Sequence, residues 1–161
     1  MPRGFASSPM GDRIKSALFN SLGDLQGLEV WDAFAGSGAL AIESVSRGAK
    51  YALATERDPK TYKAIRANVD KLSAQDIDVV KANCKAWSST NPEKKFDIIF
   101  CDPPWNDFQL ASVWVTLKHL KPNGLMVLSY PGREDVPTAN GVVVVDNRNY
   151  GDVALAFYHL G

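Results

Sequence analysis

The sequence predicts an α/β fold built on a seven-stranded, mostly parallel sheet with a C-terminal antiparallel hairpin. Up to about residue 130, short apolar runs alternate with segments of helical spacing, which is typical of repeated βαβ units. Glycines and prolines mark most of the boundaries between these segments. Near the C terminus, two apolar runs are separated only by a polar turn at 147–152, and this favours a hairpin at one edge of the sheet.

Four helices are predicted from apolar residues that recur every three or four positions. Gly23 and Gly48 end the first two, and Pro59 suits the first turn of the third. Lys121-Pro122-Asn123-Gly124 stops the fourth. The predicted helices are 12–22, 38–47, 59–72 and 108–120.

The remaining apolar runs are short and rich in branched or aromatic residues, as in strands that are buried on both faces. The predicted strands are 28–34, 50–56, 78–82, 96–101, 125–130, 142–145 and 153–158. In such a sheet, ligands bind beyond the carboxyl ends of the strands. Four polar residues stand at those predicted ends: Asp32, Glu56, Asn83 and Asp102.

Composition indicates one soluble domain over residues 1–161. Eighteen basic and eighteen acidic residues cancel, which argues against a broad basic surface for nucleic acid. The two cysteines are expected to be buried thiols of a reducing compartment. No run of 18 apolar residues and no metal-ligand spacing is present, so we expect a cytoplasmic monomer that needs neither a membrane nor a metal.

The first motif is a glycine-rich turn, Asp32-Ala33-Phe34-Ala35-Gly36-Ser37-Gly38-Ala39, which follows the first strand. Two glycines let the backbone bend sharply and approach a ligand, and the next helix offers free N–H groups for an anion. Asp32 can accept a hydrogen bond from an ammonium group, and Glu56 can accept from both hydroxyls of a ribose. These features suit S-adenosylmethionine (SAM), with Asn83 and Cys84 or Trp87 beside the adenine.

The turn alone leaves NAD open as the cofactor. Gly36-x-Gly38-x-x-Ala41 fits the loose dinucleotide fingerprint, and Glu56 lies near the expected ribose position. An NAD-dependent oxidoreductase would also need a catalytic Tyr/Lys or His/Asp set, which the sequence does not offer.

The second motif, Asp102-Pro103-Pro104-Trp105, is more specific. Consecutive prolines lock φ and leave carbonyl groups without nearby N–H competitors. One of these carbonyls and the Asp102 carboxylate can together hold an exocyclic –NH2 group, while Trp105 stacks on the base. A base inside a duplex must first be unstacked to reach such a pocket. The motif therefore favours methyl transfer to a nucleobase amine.

With these motifs, nearly the whole chain resembles the RsmD-like 16S rRNA guanine-N2 methyltransferases. The stretches that carry the resemblance are 8–13 with 17–20, 32–39, 46–49, 56–58, 96–104 and 150–152. The resemblance implies a Rossmann-like SAM-dependent methyltransferase fold, SAM as methyl donor, and N2-methylation of one guanine in small-subunit rRNA or a 30S particle. Three departures stand out: family members usually begin with a basic β-hairpin, commonly have Asp where Asn83 stands, and more often have Phe or Tyr at Trp105.

The resemblance and the motifs together assign three groups of site residues. The catalytic group is Asp102, Pro103, Pro104 and Trp105. The cofactor-binding group is Asp32, Phe34, Ala35, Gly36, Ser37, Gly38, Ala39, Glu56, Arg57, Asn83, Cys84 and Asp102. The substrate-binding group is Arg13, Asn20, Trp105 and Arg133. The N-terminal segment and helix, residues 1–24, are expected to act as a lid on the cofactor.

Two other functions remain open at this point. Adenine-N6 methyltransferases also use an Asp-Pro-Pro-Trp tetrad, although 161 residues leave little room for a separate DNA-recognition region. A non-catalytic SAM-binding module would not require Asp102 and Trp105 to be intact.

Overall fold

The computed structural model describes residues 10–72, 76–105 and 110–161. The helices are α1 (Gly11–Leu22), α2 (Ala39–Ser46), α3 (Pro59–Lys71), α4 (Cys84–Thr90) and α5 (Leu110–Val115), the last followed by a 3-10 turn (Thr116–His119). The strands are β1 (Glu29–Asp32), β2 (Tyr51–Thr55), β3 (Ile77–Val80), β4 (Phe96–Cys101), β5 (Leu120–Pro131), β6 (Val142–Asn149) and β7 (Val153–Leu160).

The seven strands form one sheet in the order β3-β2-β1-β4-β5-β7-β6. Strands β1 to β5 pair in parallel, and β7 pairs antiparallel with both β5 and β6. The predicted sheet and its terminal hairpin at one edge are confirmed. The strand order reverses between β1 and β4, so the crevice expected for a ligand lies at the carboxyl ends of these two neighbours.

Successive residues of each strand enter two different cores, as the period of two requires. Val30, Phe100 and Val127 belong to the core that also contains side chains of α1, α2 and α3. Trp31 and Ile99, one position along, belong to the core shared with α4 and α5. The sheet is therefore covered on both faces, which explains why its central strands are almost entirely apolar.

Helix α1 is a packed layer of the first core. Its Ile14, Leu18 and Phe19 are buried, and the Phe19 ring lies 5.6 Å from the Phe100 ring of β4. The guanidinium of Arg47 lies 5.4 Å from the centre of the Phe19 ring and joins the helix to the end of α2. Part of the segment predicted to be a lid is thus fixed against the sheet, while residues 1–9 lie outside the described chain.

Two predictions were wrong. No helix was predicted between the strands at 78–82 and 96–101, but α4 lies there, and its short length hides its apolar spacing. The predicted helix to residue 120 ends earlier: Leu120 already pairs with Phe96 as the first residue of β5. The stop signal at 121–124 is an irregularity inside β5, where the register shifts between Phe96 and Ile98.

The two glycines of the turn after β1 have different structural roles. Both have positive φ angles, +55° at Gly36 and +81° at Gly38. A Cβ atom at Gly38 would come within 2.9 Å of Cγ2 of Ile65, a fully buried residue of α3, whereas a Cβ at Gly36 would meet nothing within 4 Å. Gly38 is therefore needed for helix packing, and Gly36 leaves the backbone open on the side where a ligand can approach.

We expect Gly38→Ala to lower the free energy of unfolding more than Gly36→Ala does. Both variants place a Cβ in the left-handed region, which costs roughly 1–2 kcal/mol. Only Gly38→Ala also forces Ile65 to move, at a further cost of about 1–3 kcal/mol. Urea unfolding of the two variants beside the parent chain measures this difference, and equal losses would contradict the packing role of Gly38.

Candidate active site

The predicted acidic residues meet at one edge of the sheet. Asp32 is the last residue of β1, Glu56 follows β2 directly, and Asp102 follows β4 directly. Because these strands are parallel and adjacent, their carboxyl ends lie side by side. The charges of Asp102 and Glu56 both raise the pKa of Asp32, as expected for carboxylates at neighbouring strand ends.

Asp32 is a buried carboxylate with one unpartnered oxygen. Its side chain has no solvent exposure, and its Oδ2 accepts a hydrogen bond of 3.1 Å from the backbone N–H of Ala41 in α2. Its Oδ1 is buried without a hydrogen-bond partner. Burial raises the pKa of Asp32 well above its usual value, and the nearby charge of Asp102 adds to the rise. A cationic donor placed at Oδ1 would satisfy the orphaned oxygen and stabilise the ionised form.

Glu56 ties the end of β2 to the glycine turn. Its Oε1 accepts a hydrogen bond of 3.0 Å from the Gly36 N–H, and its Oε2 accepts one of 2.9 Å from the Asp58 N–H. The backbone of the turn is held as well, because Ala35 N donates to the carbonyl of Thr55 (3.0 Å). The carboxylate therefore stands at the rim of the turn, where a hydroxylated ligand can reach it.

The Asp-Pro-Pro-Trp segment lies directly beyond β4. Asp102 is 6% exposed, and its Oδ1 accepts a hydrogen bond of 2.5 Å from the hydroxyl of Ser129 in β5. Pro103 is buried, and Pro104 and Trp105 are half-buried. The indole Nε1 of Trp105 is buried without a hydrogen-bond partner, so it is a second polar atom at this edge whose bonding capacity is unused.

Sequence reasoning missed two residues that shape this edge. The Thr55 hydroxyl, buried, donates to the carbonyl of Ala33 (2.8 Å) and accepts from the Trp31 indole (3.1 Å), so it fixes the start of the turn. Ser129 is the second. Each is a small hydroxyl residue that follows buried apolar residues near the carboxyl end of a strand, and that pattern is the signal that could have found them.

Cys84 is close to the turn but chemically inert. Its Sγ lies 3.4 Å from the carbonyl oxygen of Ala33, and burial raises the pKa of the thiol to about 12. A thiol with so high a pKa is not a nucleophile at neutral pH. The neighbouring Asn83 uses its Oδ1 to cap α4 by accepting from Ala86 N (2.8 Å), and its amide NH2 group is the donor that the side chain could offer to a ligand.

Four further predicted site residues have exposed side chains. The Oδ1 of Asn20 lies 3.4 Å from Nη1 of Arg47, at the end of α1 that faces the start of the strands. Arg133 is highly exposed and forms only a long ion pair of 3.8 Å with Asp152. Arg57 is exposed directly after Glu56, and Arg13 is exposed on the first turn of α1.

Trp87 is a core residue. Its ring packs 4.6 Å from that of Trp31 and 5.9 Å from that of Phe96. It also lines a groove of about 680 Å³ between α4 and the β2–β3 edge, to which none of the residues assigned to the site contributes. The placement of Trp87 beside an adenine, as the alternative to Cys84, stays a prediction.

Within the described ranges, no group of three or more His, Cys, Asp or Glu side chains is arranged to hold a metal ion. No helix among the same residues combines the length and the apolar character needed to cross a membrane.

His119 is a core residue. It is buried between the Ser88 hydroxyl (2.8 Å) and the Lys94 carbonyl (2.6 Å), and its burial lowers its pKa.

Comparisons with known proteins agree with this geometry. Ribosomal RNA small subunit methyltransferase D of Haemophilus influenzae is 30% identical over 158 residues, which cover 93% of this chain and 81% of that protein. The same-named protein of Buchnera aphidicola is 32% identical over 99 residues, and the match spans about half of its length (52%). An rRNA N(6)-adenosine-methyltransferase of Drosophila melanogaster is 30% identical over 82 residues, 51% of this chain and 38% of that protein.

A solved structure from Escherichia coli, provisionally described as a methyltransferase, has a TM-score of 0.83 at 26% identity and covers 96% of this chain and 88% of its own. The family model described as conserved hypothetical protein 95 matches residues 1–159. The chain therefore belongs to the conserved hypothetical protein 95 family, and with it to the RsmD-like ribosomal RNA small subunit methyltransferases.

Proposed function

We propose that this protein transfers the methyl group of SAM to the exocyclic N2 amine of a guanine in small-subunit (16S) rRNA. The observation that carries the proposal is the pair of buried carboxylates at the β1–β4 switch point, one with an orphaned oxygen. Asp32 supplies the site for a cationic cofactor group, and Asp102 supplies an acceptor for the amine. The two acidic residues have separate partners and therefore separate roles.

The residues of the turn fit SAM. The orphaned Oδ1 of Asp32 matches the ammonium of the methionine moiety, and Glu56 at the rim suits the ribose hydroxyls. Gly36 leaves the open side on which the cofactor backbone would rest. The other residues that we propose around the cofactor are Phe34, Ala35, Ser37, Gly38, Ala39, Arg57, Asn83 and Cys84. We further propose that residues 1–24 cover the cofactor, with α1 held against the core and Lys15, in its first half, acting electrostatically on Asp32.

At the transfer site, Asp102 and a carbonyl of the Pro103–Pro104 turn accept hydrogen bonds from the amine and direct its lone pair at the methyl group. Trp105 provides a face for the base. Bound SAM would supply an electrophilic methyl: a C–N bond would form as the S–C bond breaks with its electron pair left on sulfur, and the methylated amine would release one proton to solvent. Orientation and exclusion of water supply most of the rate enhancement, because the donor is already activated.

The proposed substrate is rRNA, free or in a 30S particle, and it places the enzyme in the cytoplasm. Arg13 and Arg133 are exposed and can contact RNA phosphates, together with Asn20 if the RNA extends along α1. The proposed active unit is one chain, because every catalytic group comes from one sheet. Methylation of adenine N6 is the alternative outcome, because the same tetrad serves that chemistry.

We expect the purified protein to label unmodified small subunits from radioactive SAM and to form N2-methylguanosine, identified by nucleoside mass spectrometry. Asp102→Asn should lower the rate by at least about 100-fold with SAM affinity retained, because the carboxylate serves the amine and not the cofactor. Asp97→Asn, which removes a half-buried carboxylate at the opposite end of β4, is the matched control and should keep the rate.

Finding N6-methyladenosine in the product, instead of N2-methylguanosine, would show that the target base is adenine and would contradict the guanine assignment. An Asp102→Asn variant that stays folded but loses SAM binding would show that this carboxylate belongs to the cofactor site. No labelling of either free rRNA or small subunits, with SAM bound, would contradict the rRNA substrate.

Asp32→Asn should weaken SAM binding while it stabilises the ligand-free protein at pH values above the raised pKa of Asp32. A neutral amide can still accept from Ala41 N but loses the charge-assisted contact, worth about 1.5–3 kcal/mol, so the Kd for SAM should rise by roughly 10- to 150-fold. Removing a buried charge should raise the Tm. Calorimetric titration and thermal melting measure the two effects, and a purely structural Asp32 would change Tm without changing Kd.

The pH dependence follows from the raised pKa of Asp32. Above that pKa the folded protein carries the buried charge. As pH falls through the raised pKa, protonation removes this cost, and the Tm advantage of Asp32→Asn should shrink. Over the same range the parent protein should lose SAM affinity, because its carboxylate is neutralised, while the variant's affinity should stay flat.

Trp105→Ala should weaken capture of RNA and leave SAM binding within about twofold. Loss of one stacking face costs about 1–3 kcal/mol, so the KM for RNA should rise by roughly 5- to 150-fold. Trp105→Phe keeps an aromatic face and is the matched control. Steady-state kinetics with each substrate varied in turn distinguish the two sites, and equal losses toward SAM and RNA would contradict a role in stacking.

A further inference from the structure

Ser129 is a hydroxyl placed where β5 is otherwise apolar. It is preceded by Met126, Val127 and Leu128, and its side chain has no solvent exposure. A buried hydroxyl needs a hydrogen-bond partner, and the partner here is a side chain from another strand rather than its own backbone. Its Oγ donates to Oδ1 of Asp102 over 2.5 Å.

The register of the sheet places this contact beside the transfer site. Phe100 pairs with Val127 across β4 and β5, and Cys101 pairs with Leu128, so Ser129 comes next to Asp102 at the carboxyl end. On the other side, Ser129 pairs with Leu155 of β7, which holds its backbone in the middle of the sheet. The hydroxyl is thus carried by a strand that is paired on both sides, whereas Asp102 lies just beyond the end of β4.

We propose that Ser129 is a positioning residue for Asp102, and this rests on the proposed methyl transfer at that site. The hydroxyl fixes the plane of the carboxylate. A hydroxyl donates a stronger hydrogen bond to an ionised carboxylate than to a neutral carboxylic acid, so this contact also favours the ionised form of Asp102. Asp102 is thereby presented as an acceptor in one orientation toward the amine. Ser129 itself contacts no reacting atom.

The partner distinguishes this residue from a serine that only fills space. Ser44 is equally buried, yet its hydroxyl donates to the carbonyl of Leu40 within its own helix (2.7 Å). Ser129 instead reaches 27 positions along the chain to the one carboxylate proposed to hold the substrate amine. A misplacement of that carboxylate by about 1 Å can cost two orders of magnitude in rate.

The test compares Ser129→Ala, Ser129→Thr and the control Ser44→Ala in the rRNA assay. Ser129→Ala should lower kcat by roughly 10- to 100-fold, with KM for SAM within about twofold of the parent value. Ser129→Thr keeps the hydroxyl and should recover most of the loss, and Ser44→Ala should keep the parent kcat. A crystal structure of Ser129→Ala should show the Asp102 carboxylate rotated from its position in the parent.

Parent kcat in a folded Ser129→Ala, or an Asp102 carboxylate unmoved in its crystal structure, would overturn the proposal. So would a kcat for Ser129→Thr as low as that of Ser129→Ala in two folded variants. If Ser129→Ala does not fold, Ser129→Cys, which keeps a weaker donor of similar size, takes its place and should give an intermediate kcat. Failure of the parent chain to label any RNA would count against the proposed function alone, since the crystal structures test the positioning of Asp102 without activity.

Discussion

The alignment of β1 and β4 as neighbouring parallel strands brings two buried carboxylates to the same edge of the sheet, and the site depends on this constraint. Burial raises the pKa of Asp32, and the charge of Asp102 raises it further. Keeping these two carboxylates buried side by side without a ligand is therefore electrostatically unfavourable, and the rest of the fold has to offset this cost. The apolar cores on both faces supply that stability. Carboxylates with strongly raised pKa values are commonly found at functional sites, where a bound ligand can stabilise their ionised form.

The scaffold around the two acids is rigid for reasons that can be traced to single residues. Thr55 bonds both Trp31 and the carbonyl of Ala33, so the strand ends are locked before the turn begins. Gly38 allows α3 to approach through Ile65, and this packing fixes the start of α2, which supplies the N–H group of Ala41 to Asp32. Rigid positioning of this kind is what methyl transfer needs from a protein.

Much of this could be read from the sequence, because the strands are buried on both faces and their apolar runs are unambiguous. The seven strands, the terminal hairpin and the convergence of Asp32, Glu56 and Asp102 follow from that pattern alone. Helix α4 was missed because seven residues give too few repeats of the 3.6 period, and the start of β5 was missed because a bulge resembles a turn.

The contacts of single side chains could not be predicted from the sequence, for a different reason. Ser129 and Asp102 are 27 residues apart, and only the register of β4 against β5 brings them together. Asn20 fits a family-like stretch, but its contact with Arg47 depends on how α1 packs against the end of α2. Pattern fixes which residues share a strand or a helix, whereas register and helix direction depend on the packing of the whole sheet.

Charge distinguishes the two cofactors that the glycine turn by itself leaves open. A dinucleotide would bring its pyrophosphate, with two negative charges, to the start of α2, where the side chains of Asp32, Glu56 and Asp102 already share one neighbourhood. Like charges at short range in a partly buried site are strongly unfavourable. SAM carries an ammonium and a sulfonium, so the same carboxylates attract it, and its single carboxylate is the only group that has to find a positive partner. The acids at the strand ends, rather than the glycines between them, therefore favour SAM as the cofactor of this fold.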